Sequence, residues 1–452
     1  MCVPFLLHAQ TAKEKIETQV KRLLADSQMV NAILGFYVMD ASNGEVIYNV
    51  NGSVGLAPAS TQKIVTSVAA FDMLGKDYRY KTEMGYKGEL DNDQLKGDLI
   101  IKGYGDPTLG SGRYESTKAG VVFDKMVDYL QRFRIKKITG KVVLDVSSFS
   151  YQPLPGGWIW DDIGNYYGAG TWGINWKENQ YDLFLQPGNK PGKAVEITGS
   201  SAVKKPIIAV NNLVTGKKGS GDNAYIYLPP YSNNGFADGS YEGGAKISGS
   251  TPDAPMELAV ELQQLLKDNN IQVANGIEVS YDSTAAKPDV FFSHYSPSLD
   301  SIIYWFMKRS INLYGEALVK TIGWERAASG STDSGVAVIR RFYKEKGIAS
   351  TAELKIIDGS GLSPSNRVTA ESLVKILMYA KQQPWFPEFM QAFPEYNGMK
   401  LKSGTIRGAK SFAGYHTSKD GKQYVVAIIV NNYDGTASAV VNKMYKVLDA
   451  LK

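Results

Sequence analysis

The first quarter of the chain alternates between helical spacing of apolar residues and short apolar runs. Helical spacing covers 12–24, and the apolar runs 34–39 and 46–49 are separated by an Asn-Gly step that is typical of hairpin turns. Residues 59–74 then show a wide apolar face, with a proline just before them and a glycine just after them. An apolar face of that width predicts a helix buried in a core.

The pattern changes between about residues 82 and 288. Short β-rich runs such as 98–101 alternate with turns rich in glycine, asparagine and proline, and helical spacing returns over 121–133 and 256–268. The segment 188–249 is especially rich in turn residues, which indicates a further small β unit.

After residue 298 the pattern resembles the beginning of the chain again. It predicts two helices over 299–308 and 313–328, then a meander of strands over 400–402, 410–417 and 424–431. A last helix is predicted over 437–451. The simplest account is one α/β domain built from both ends of the chain, with β-rich domains inserted into it. The predicted boundaries are 11–85 with 288–452 for that domain, 86–185 with 248–287 for an inserted second domain, and 186–247 for a small inserted β domain.

Composition agrees with a globular protein of several domains. The chain has 452 residues, of which 43% are hydrophobic and 21% charged. The formal net charge of +5 is spread along the chain without a block of like charges, and no nucleic-acid-binding motif is present. We therefore expect no nucleic-acid partner.

Two scarce residue types limit the possible chemistry. Cys2 is the single cysteine, so neither an internal disulfide nor a cysteine-based metal site can form. The three histidines are His8, His294 and His416, and a Ser-His-Asp scheme or a multi-histidine metal site would need nearly all of them. We expect no metal and no diffusible cofactor.

The first ten residues, MCVPFLLHAQ, have two interpretations. They resemble the second half of a secretory signal peptide without its basic front, or they are a mildly apolar terminus. No apolar run approaches the roughly 20 residues that span a membrane, so membrane association is at most peripheral.

Ser60-Thr61-Gln62-Lys63 is the first candidate for chemistry. A serine hydroxyl needs a base within hydrogen-bonding reach, and a lysine can replace histidine where its surroundings let it lose its proton. Positions i and i+3 share a helix face, and Ser60 lies at the predicted N-terminus of a buried helix. Ser-x-x-Lys also begins at Ser201 and Ser372, so this motif alone is weak.

Two further motifs strengthen the case. Ser310-Ile311-Asn312 lies in the break between two apolar helices, where its polar side chains can reach a cleft. Lys402-Ser403-Gly404-Thr405 lies on a predicted strand, where glycine permits close backbone approach and a strand edge can donate an N–H to an oxyanion. Taken alone, this strand also fits a plain edge with a solvated lysine.

The order Ser-x-x-Lys, Ser-x-Asn, Lys-[Ser/Thr]-Gly resembles the signature of penicillin-binding proteins and serine β-lactamases. The long interval from Ser60 to Ser310 is similar to that of class C, low-molecular-mass penicillin-binding proteins, the D-Ala-D-Ala carboxypeptidase/endopeptidases of the penicillin-binding protein 4 type. Other strings also resemble that family: GDPTL at 105–109, GWIWDD at 157–162, and DGSGLS at 358–363 with Asn366-Arg367. Ser403 departs from the usual threonine but keeps the hydroxyl.

The resemblance implies a fold and a set of roles. The fold would be an α/β (α+β) serine β-lactamase/transpeptidase-like domain, with an antiparallel sheet flanked by helices. Ser60 would be the acylated nucleophile, Lys63 its base, Ser310 a proton relay and Asn312 a ligand of the substrate amide. The terminal carboxylate would be bound by the strand residues Lys402, Ser403, Gly404 and Thr405.

The resemblance also implies substrates, inhibitors and a location. Peptidoglycan peptides would be hydrolysed, β-lactam antibiotics would acylate the protein, and the protein would work in the periplasm or elsewhere in the cell envelope. Asp161, Arg367 and Trp158 match family positions that recognise diaminopimelate, although Trp158 also suits core packing. The oligomeric state stays open.

Two other functions remain possible at this stage. One is a β-lactamase-like or D-amino-peptide hydrolase, which the long insertion and the Trp-rich string disfavour. The other is a non-catalytic peptidoglycan-binding protein that keeps the fold, which the pairing of a nucleophile with a base disfavours.

Overall fold

The structure, a computed structural model, describes residues 11–203, 207–282 and 287–452. The possible signal-peptide remnant at 1–10 lies outside the described residues. The helices are α1 (Ala12–Leu24), α2 (Lys63–Leu74), α3 (Ala119–Arg132), α4 (Trp160–Ile163), α5 (Ala254–Asp268), α6 (Leu299–Lys308), α7 (Asn312–Ala327), α8 (Thr332–Glu345), α9 (Ala370–Lys381), α10 (Phe386–Gln391) and α11 (Ala437–Leu448).

The strands are β1 (Ile33–Asp40), β2 (Val46–Val50), β3 (Lys81–Asp91), β4 (Gln94–Gly103), β5 (Lys137–Ile138), β6 (Val142–Asp145), β7 (Gln180–Gln186), β8 (Glu196–Ser200), β9 (Ile207–Thr215), β10 (Asp222–Tyr227), β11 (Asn234–Tyr241), β12 (Lys246–Ser250), β13 (Gln272–Val273), β14 (Ile277–Ser280), β15 (Asp289–Tyr295), β16 (Leu354–Lys355), β17 (Arg367–Val368), β18 (Glu395–Tyr396), β19 (Met399–Ile406), β20 (Ala409–Thr417) and β21 (Gln423–Asn431).

The chain forms two compact units. Unit 1 contains the residues up to Asp72, together with Ile303–Ser310 and Ile339–Lys452, and unit 2 contains Met73–Ile302 and Ile311–Val338. The segment Ile311–Val338, which the sequence analysis placed with the chain ends, is grouped with unit 2. The three-part domain division therefore stays a prediction.

Unit 1 is built on a six-stranded antiparallel sheet of order β18-β19-β20-β21-β1-β2. The central strand β21 is buried along nearly its whole length, which explains its continuous apolar run without alternation. The sheet therefore has both faces covered, although all of its pairs are antiparallel.

Helices cover the two faces of this sheet. Leu34, Phe36 and Val38 point to one face, where they share a core with apolar residues of α1 and α11. On the other face α9 packs against β1, β20 and β21, and a side chain at Gly35 would meet Ala370 of α9 at 3.9 Å. Successive side chains of β1 point to opposite faces of the sheet, so one set contacts α1 and α11 and the other set faces α9.

Unit 2 contains the inserted β-rich segments. Its largest sheet has the path β13-β5-β4-β3-β15, with β6 beside β4 and β14 beside β6, and its core includes buried residues of α3 and α5. Two three-stranded sheets, β10-β11-β9 and β12-β7-β8, share a second core. Strands β8 to β11 lie within the turn-rich segment 188–249, and β7 lies before it.

The element predictions were most accurate where periodicity was strong. The bounds of α1 and α6 agree with prediction. The predicted helix over 59–74 divides into a 3₁₀ turn, Ala59–Gln62, and α2. Helices α4, α8 and α10 were not predicted. Within the described ranges, no helix combines the length and apolarity needed to cross a membrane.

Asp106 lies in the GDPTL string in unit 2 and is almost fully buried. One of its carboxylate oxygens accepts hydrogen bonds from the backbone N–H of Thr108 at 2.8 Å and from its hydroxyl at 2.6 Å. The string therefore forms a structural turn. Burial raises the pKa of Asp106 to about 6, and the hydrogen bonds to Thr108 only partly oppose that shift.

We expect Asp106→Asn to change the pH dependence of stability. Because the folded-state pKa is raised, the stabilising contribution of Asp106 is complete below about pH 4 and is lost as pH rises through about 6. Between pH 4 and pH 7 the free energy of unfolding of the wild type should therefore fall by about 2 to 3 kcal/mol relative to that of the variant. Melting temperatures measured across this range should diverge by several degrees in favour of the variant.

The control is Asp124→Asn, which removes the same charge from an exposed helix position. The prediction would be contradicted if the difference in melting temperature between Asp106→Asn and wild type stayed constant from pH 4 to pH 7.

Candidate active site

Ser60 lies in the 3₁₀ turn that precedes α2, next to a strained residue. Ala59 is fully buried and has φ +47°, a left-handed conformation that residues other than glycine rarely adopt. The carbonyl oxygen of Pro58 accepts hydrogen bonds from the hydroxyl groups of Thr61 at 2.7 Å and Ser411 at 2.6 Å. These contacts hold the turn in place and leave Ser60 half-buried at its start.

Lys63 is the first residue of α2 and is fully buried. Its Nζ lies 2.9 Å from Ser60 Oγ, and it donates a hydrogen bond to the carbonyl oxygen of Ser360 at 2.8 Å. The ring centre of Phe306 is 5.6 Å from the same nitrogen. The amine is thus removed from water and directed at the serine hydroxyl, the arrangement that a nucleophile and its base require.

The carbonyl that contacts Lys63 belongs to a loop, 358–363, which is organised by the buried carboxylate of Asp358. One oxygen of Asp358 accepts hydrogen bonds from Gln62 Nε2 at 2.9 Å, from the Gly361 N–H at 2.8 Å and from Asn366 Nδ2 at 2.9 Å. The other oxygen accepts from the Ser363 N–H at 2.7 Å. One carboxylate therefore ties the loop to the turn that carries Ser60.

Close packing brings the same loop onto that turn. Gly361 has φ +83°, and a side chain there would lie 2.0 Å from the carbonyl oxygen of Ala59. Thr66 of α2 donates a hydrogen bond to the Gly359 carbonyl at 2.6 Å. The contact of this string with Lys63 was not predicted from the sequence.

Lys402 is the buried lysine of the Lys-Ser-Gly-Thr strand. Its Nζ donates a hydrogen bond to the carbonyl oxygen of Ser403 at 2.7 Å. Burial holds its pKa well below the ordinary range, and the charges of Lys63 and Lys410 lower it further.

Gly404 lies where β19 meets the serine turn. A side chain there would approach Ser411 Oγ to 2.4 Å, the Pro58 carbonyl oxygen to 2.6 Å and the backbone nitrogen of Ser60 to 2.8 Å. A glycine at this position was predicted to permit close backbone approach. In the structure the backbones of the strand and of the turn approach each other here.

The Ser-x-Asn motif follows the end of α6. Ser310 is half-buried and has φ +56°, and Oγ of Ser310 forms no hydrogen bond with the residues that the structure describes. Asn312 begins α7 in unit 2, where its Nδ2 donates to the carbonyl oxygen of Tyr167 at 2.8 Å. Two left-handed residues, Ala59 and Ser310, therefore accompany the predicted catalytic motifs, as strain often does at functional sites.

A family profile supports the same interpretation from the sequence side. The profile of the D-Ala-D-Ala carboxypeptidase 3 (S13) family matches residues 16–398, well over half of the chain. The chain belongs to this family. Its members are serine D-alanyl-D-alanine carboxypeptidases, so the family prediction is confirmed.

Named relatives agree with membership of the S13 family. A D-alanyl-D-alanine carboxypeptidase of Actinomadura sp. (strain R39) is 27% identical over 97% of this chain and 85% of the relative. The D-alanyl-D-alanine carboxypeptidase DacB of Haemophilus influenzae is 24% identical over 88% of this chain and 85% of the relative.

The fold is similar to that of a solved penicillin-binding protein. Penicillin-binding protein 4 (DacB) from Haemophilus influenzae has a TM-score of 0.81 at 22% identity, with 96% of this chain and 98% of that chain covered. A second structure of that protein, with a TM-score of 0.76, is a complex with a novel β-lactam. The predicted fold class is confirmed.

Unit 2 of this S13 family member contains two residues that the resemblance associated with diaminopimelate. Trp158 is buried, 8% exposed, which agrees with the alternative of core packing. Asp161 lies in α4 and is half-buried, and it accepts a hydrogen bond from the hydroxyl of Tyr227 at 3.4 Å. Asp161 is therefore the more accessible of the two.

The third such residue, Arg367, lies in unit 1 on β17 and is exposed. Its guanidinium group donates to the carbonyl oxygens of Pro364 at 2.7 Å and Asn366 at 2.8 Å, beside the loop that contacts Lys63. Ser403 is half-buried and Thr405 is exposed on β19. Unit 1 thus brings together Ser60, Lys63, Lys402 and Gly404.

Sequence reasoning missed three groups that the structure adds to this cluster. These are the Ser360 carbonyl, the Asp358 carboxylate and the ammonium group of Lys410, which donates to Thr405 Oγ1 at 2.6 Å. The DGSGLS string was the available signal for the first two. Across the described ranges, no group of three or more His, Cys, Asp or Glu side chains is placed to hold a metal ion.

We expect Gly404→Ala to slow acylation of the protein by a fluorescent penicillin by about 100-fold, since a shift of about 1 Å in a catalytic group has effects of that size. The added methyl group would collide with the Pro58 carbonyl and the Ser60 backbone nitrogen. Stopped-flow or gel measurements of the labelling rate would test this.

The control is Gly120→Ala in α3, where a methyl group would meet no atom within 4 Å. Labelling of Gly404→Ala at the wild-type rate would show that the close approach of β19 to the turn is unimportant.

Proposed function

We propose that this protein removes the terminal D-alanine from peptides that end in D-Ala-D-Ala, through an acyl-enzyme on Ser60. The observation that carries the proposal is the 2.9 Å contact between Ser60 Oγ and the buried amine of Lys63. Membership of the S13 family supplies the substrate class. A protein that only binds peptidoglycan needs no such pair.

Acylation begins with the transfer of the Ser60 hydroxyl proton to Lys63. Ser60 Oγ then forms a bond to the carbonyl carbon of the penultimate D-alanine, and the negative charge moves to the carbonyl oxygen. The backbone N–H groups of Ser60 and Thr405 are proposed to stabilise that oxyanion. At Gly404 the backbone of β19 closely approaches the turn that carries Ser60, which supports a joint role of these two N–H groups.

Collapse of the tetrahedral intermediate breaks the C–N bond to the terminal D-alanine. Ser310 is proposed to pass the proton from Lys63 to the leaving amine, which departs as free D-alanine. Asn312 is proposed to hold the substrate amide. Water then attacks the ester, gives its proton back through Lys63 and releases the shortened peptide with Ser60 restored.

The strand β19 is proposed to bind the terminal carboxylate of the substrate. Lys402 supplies positive charge, and the hydroxyl groups of Ser403 and Thr405 supply hydrogen bonds. A β-lactam carboxylate would use the same groups, so covalent inhibition by penicillins is part of the proposal.

Peptidoglycan cross-links are a second class of substrate within the same proposal. In a D-Ala-meso-diaminopimelate cross-link the leaving amine belongs to a neighbouring peptide, so cleavage would be endopeptidase action by identical chemistry. Asp161, Arg367 and Trp158 are proposed to contact the free end of diaminopimelate. Because these substrates occur in the bacterial cell wall, we propose a cell-envelope location.

The first test of the proposal is covalent labelling. The purified protein should form a stable adduct with a fluorescent penicillin on Ser60, identified by peptide mass mapping, and should release D-alanine from an N-acylated peptide ending in D-Ala-D-Ala. Ser60→Ala should lose both activities. Ser67→Ala is the matched control, since Ser67 Oγ lies buried in α2, the helix that follows Ser60, without a hydrogen-bond partner in the described residues.

The outcomes distinguish the alternatives. An adduct hydrolysed within seconds would indicate a β-lactamase-like enzyme, and no adduct on well-folded protein would indicate a binding protein. Either result would overturn the proposed peptidase function.

Replacement of the base gives a further prediction. Lys63→Met should reduce the acylation rate by about 100- to 10,000-fold, the usual effect of losing a general base. Lys63→Arg should not restore it, because guanidinium stays protonated.

Lys375→Met is the control, because Lys375 is the lysine of another Ser-x-x-Lys motif and pairs with Glu371 at 2.7 Å. If Lys63→Met and wild type were acylated at equal rates, Lys63 could not be the base.

A further inference from the structure

Unit 2 has a cavity on the face of its largest sheet that is turned away from α3 and α5. The cavity has a volume of about 620 Å³, and residues of β3, β4, β6 and β14 form its floor. Because side chains alternate along a strand, Met84, Leu99 and Leu144 point to the opposite face, into the core that contains α3 and α5. The volume is within the range of small-ligand sites in proteins.

An apolar strip crosses the floor of this cavity. Gly85, Ile100 and Val143 are successive partners in the register of β3, β4 and β6, and Val290 of β15 lies opposite Gly85. A side chain at Gly85 would lie 2.6 Å from the carbonyl oxygen of Asp289. The glycine is therefore required by the strand pairing, and it leaves the strip recessed at this position.

The strip has a row of polar side chains on each side. On one side Glu83, Lys102 and Asp145 are register partners, and Lys102 Nζ lies 2.9 Å from the Asp145 carboxylate. On the other side Lys87 of β3 lies opposite Asp98 of β4. Each row combines acidic and basic groups, so it offers hydrogen-bond donors and acceptors without a strong field of one sign.

Two aromatic side chains complete the lining. The hydroxyl of Tyr104 donates a hydrogen bond to Glu83 at 2.7 Å, and Lys81 Nζ lies 4.4 Å from the ring centre of Tyr104. Trp324 of α7 is half-buried and also lines the cavity. A recessed apolar strip, polar rows on both sides and fixed aromatic rings complement a sugar, which has apolar C–H faces and polar edges.

The position of Trp324 relates this cavity to the proposed substrate. Trp324 follows Asn312 by twelve residues in the same helix, which corresponds to about 18 Å along the axis of α7. A wall peptide of about five residues spans at most about 17 to 18 Å when it is extended. If such a peptide follows α7 from Asn312, the sugar attached to its far end reaches the cavity.

We propose that this cavity binds the glycan that carries the substrate peptide, through its uncharged N-acetylated sugar units. The inference rests on the proposed function and deepens it, because it names a second part of the same substrate. The sugars that bear peptides are uncharged, since their acid group forms the amide bond to the peptide, and this agrees with the balanced charges of the lining. Hydroxyl and acetamido groups would bind to the polar rows, and C–H faces would lie on the strip and the rings.

A binding experiment tests the site directly, with the tetramer of N-acetylglucosamine as the probe in calorimetric or NMR titrations. We expect the wild type to bind the tetramer and Tyr104→Ala to weaken binding by about two- to tenfold, as loss of an aromatic contact does. Val143→Phe should weaken binding at least as much, because its ring would occupy the strip. Val210→Phe is the matched control, since Val210 is 53% exposed on β9, outside the cavity.

A kinetic experiment tests whether the site serves the substrate. Release of D-alanine is compared between a free peptide ending in D-Ala-D-Ala and the same peptide attached to its disaccharide. The wild type should have a kcat/KM about two- to tenfold higher for the glycan-linked peptide, mainly through KM. Val143→Phe should remove this preference and change the free peptide by less than about threefold. Melting temperatures would confirm that every variant is folded.

Three results would overturn the inference. These are no binding of the tetramer by the wild type, equal binding by wild type and Val143→Phe, and equal kinetic losses on the two substrates, which would indicate an effect through α7 on Asn312. The penicillin adduct on Ser60 is the separate check of the proposed function. If the wild type forms that adduct but does not bind the tetramer, the inference fails and the peptidase function stands. If it binds the tetramer but forms no adduct, the peptidase function fails and the sugar site stands.

Discussion

The contact between the Lys63 amine and the Ser60 hydroxyl is the constraint on which the rest of unit 1 depends. A lysine can act as a base only where it is not fully hydrated, yet a buried amine without partners is unfavourable. The structure meets both requirements. The Ser360 carbonyl accepts a hydrogen bond from the amine, and the ring centre of Phe306 lies 5.6 Å from it. The loop that carries Ser360 is therefore as important to the pair as the helix that carries Lys63.

Two backbone segments keep this contact in register. The loop at 358–363 packs against Ala59, and the strand β19 packs against the backbone of Ser60, each through a glycine that leaves no space for a side chain. A left-handed Ala59 costs of order 1–3 kcal/mol and persists only where the surrounding structure determines it. Both glycines and the hydrogen bonds to the Pro58 carbonyl provide that surrounding.

Electrostatics connect Lys63 to the proposed carboxylate site on β19. Lys63, Lys402 and Lys410 influence one another, as the lowered pKa of Lys402 indicates. Repulsion among these amines creates a site in which a bound anion is favourable. This arrangement of lysines would thus favour the binding of a carboxylate that is proposed for β19.

The sequence alone determined the elements with strong local signals and the identity of the chemical motifs. Helices α1 and α6, the meander of β20 and β21, and the Ser60–Lys63 pair at i and i+3 all depend on short-range spacing, which periodicity records. The tertiary structure decided what depends on distant segments meeting. The Ser360 carbonyl reaches Lys63 across almost 300 residues of chain, and Lys410 meets Thr405 through the strand register. No local pattern reports such contacts, because they arise from packing and register rather than from the preferences of neighbouring residues.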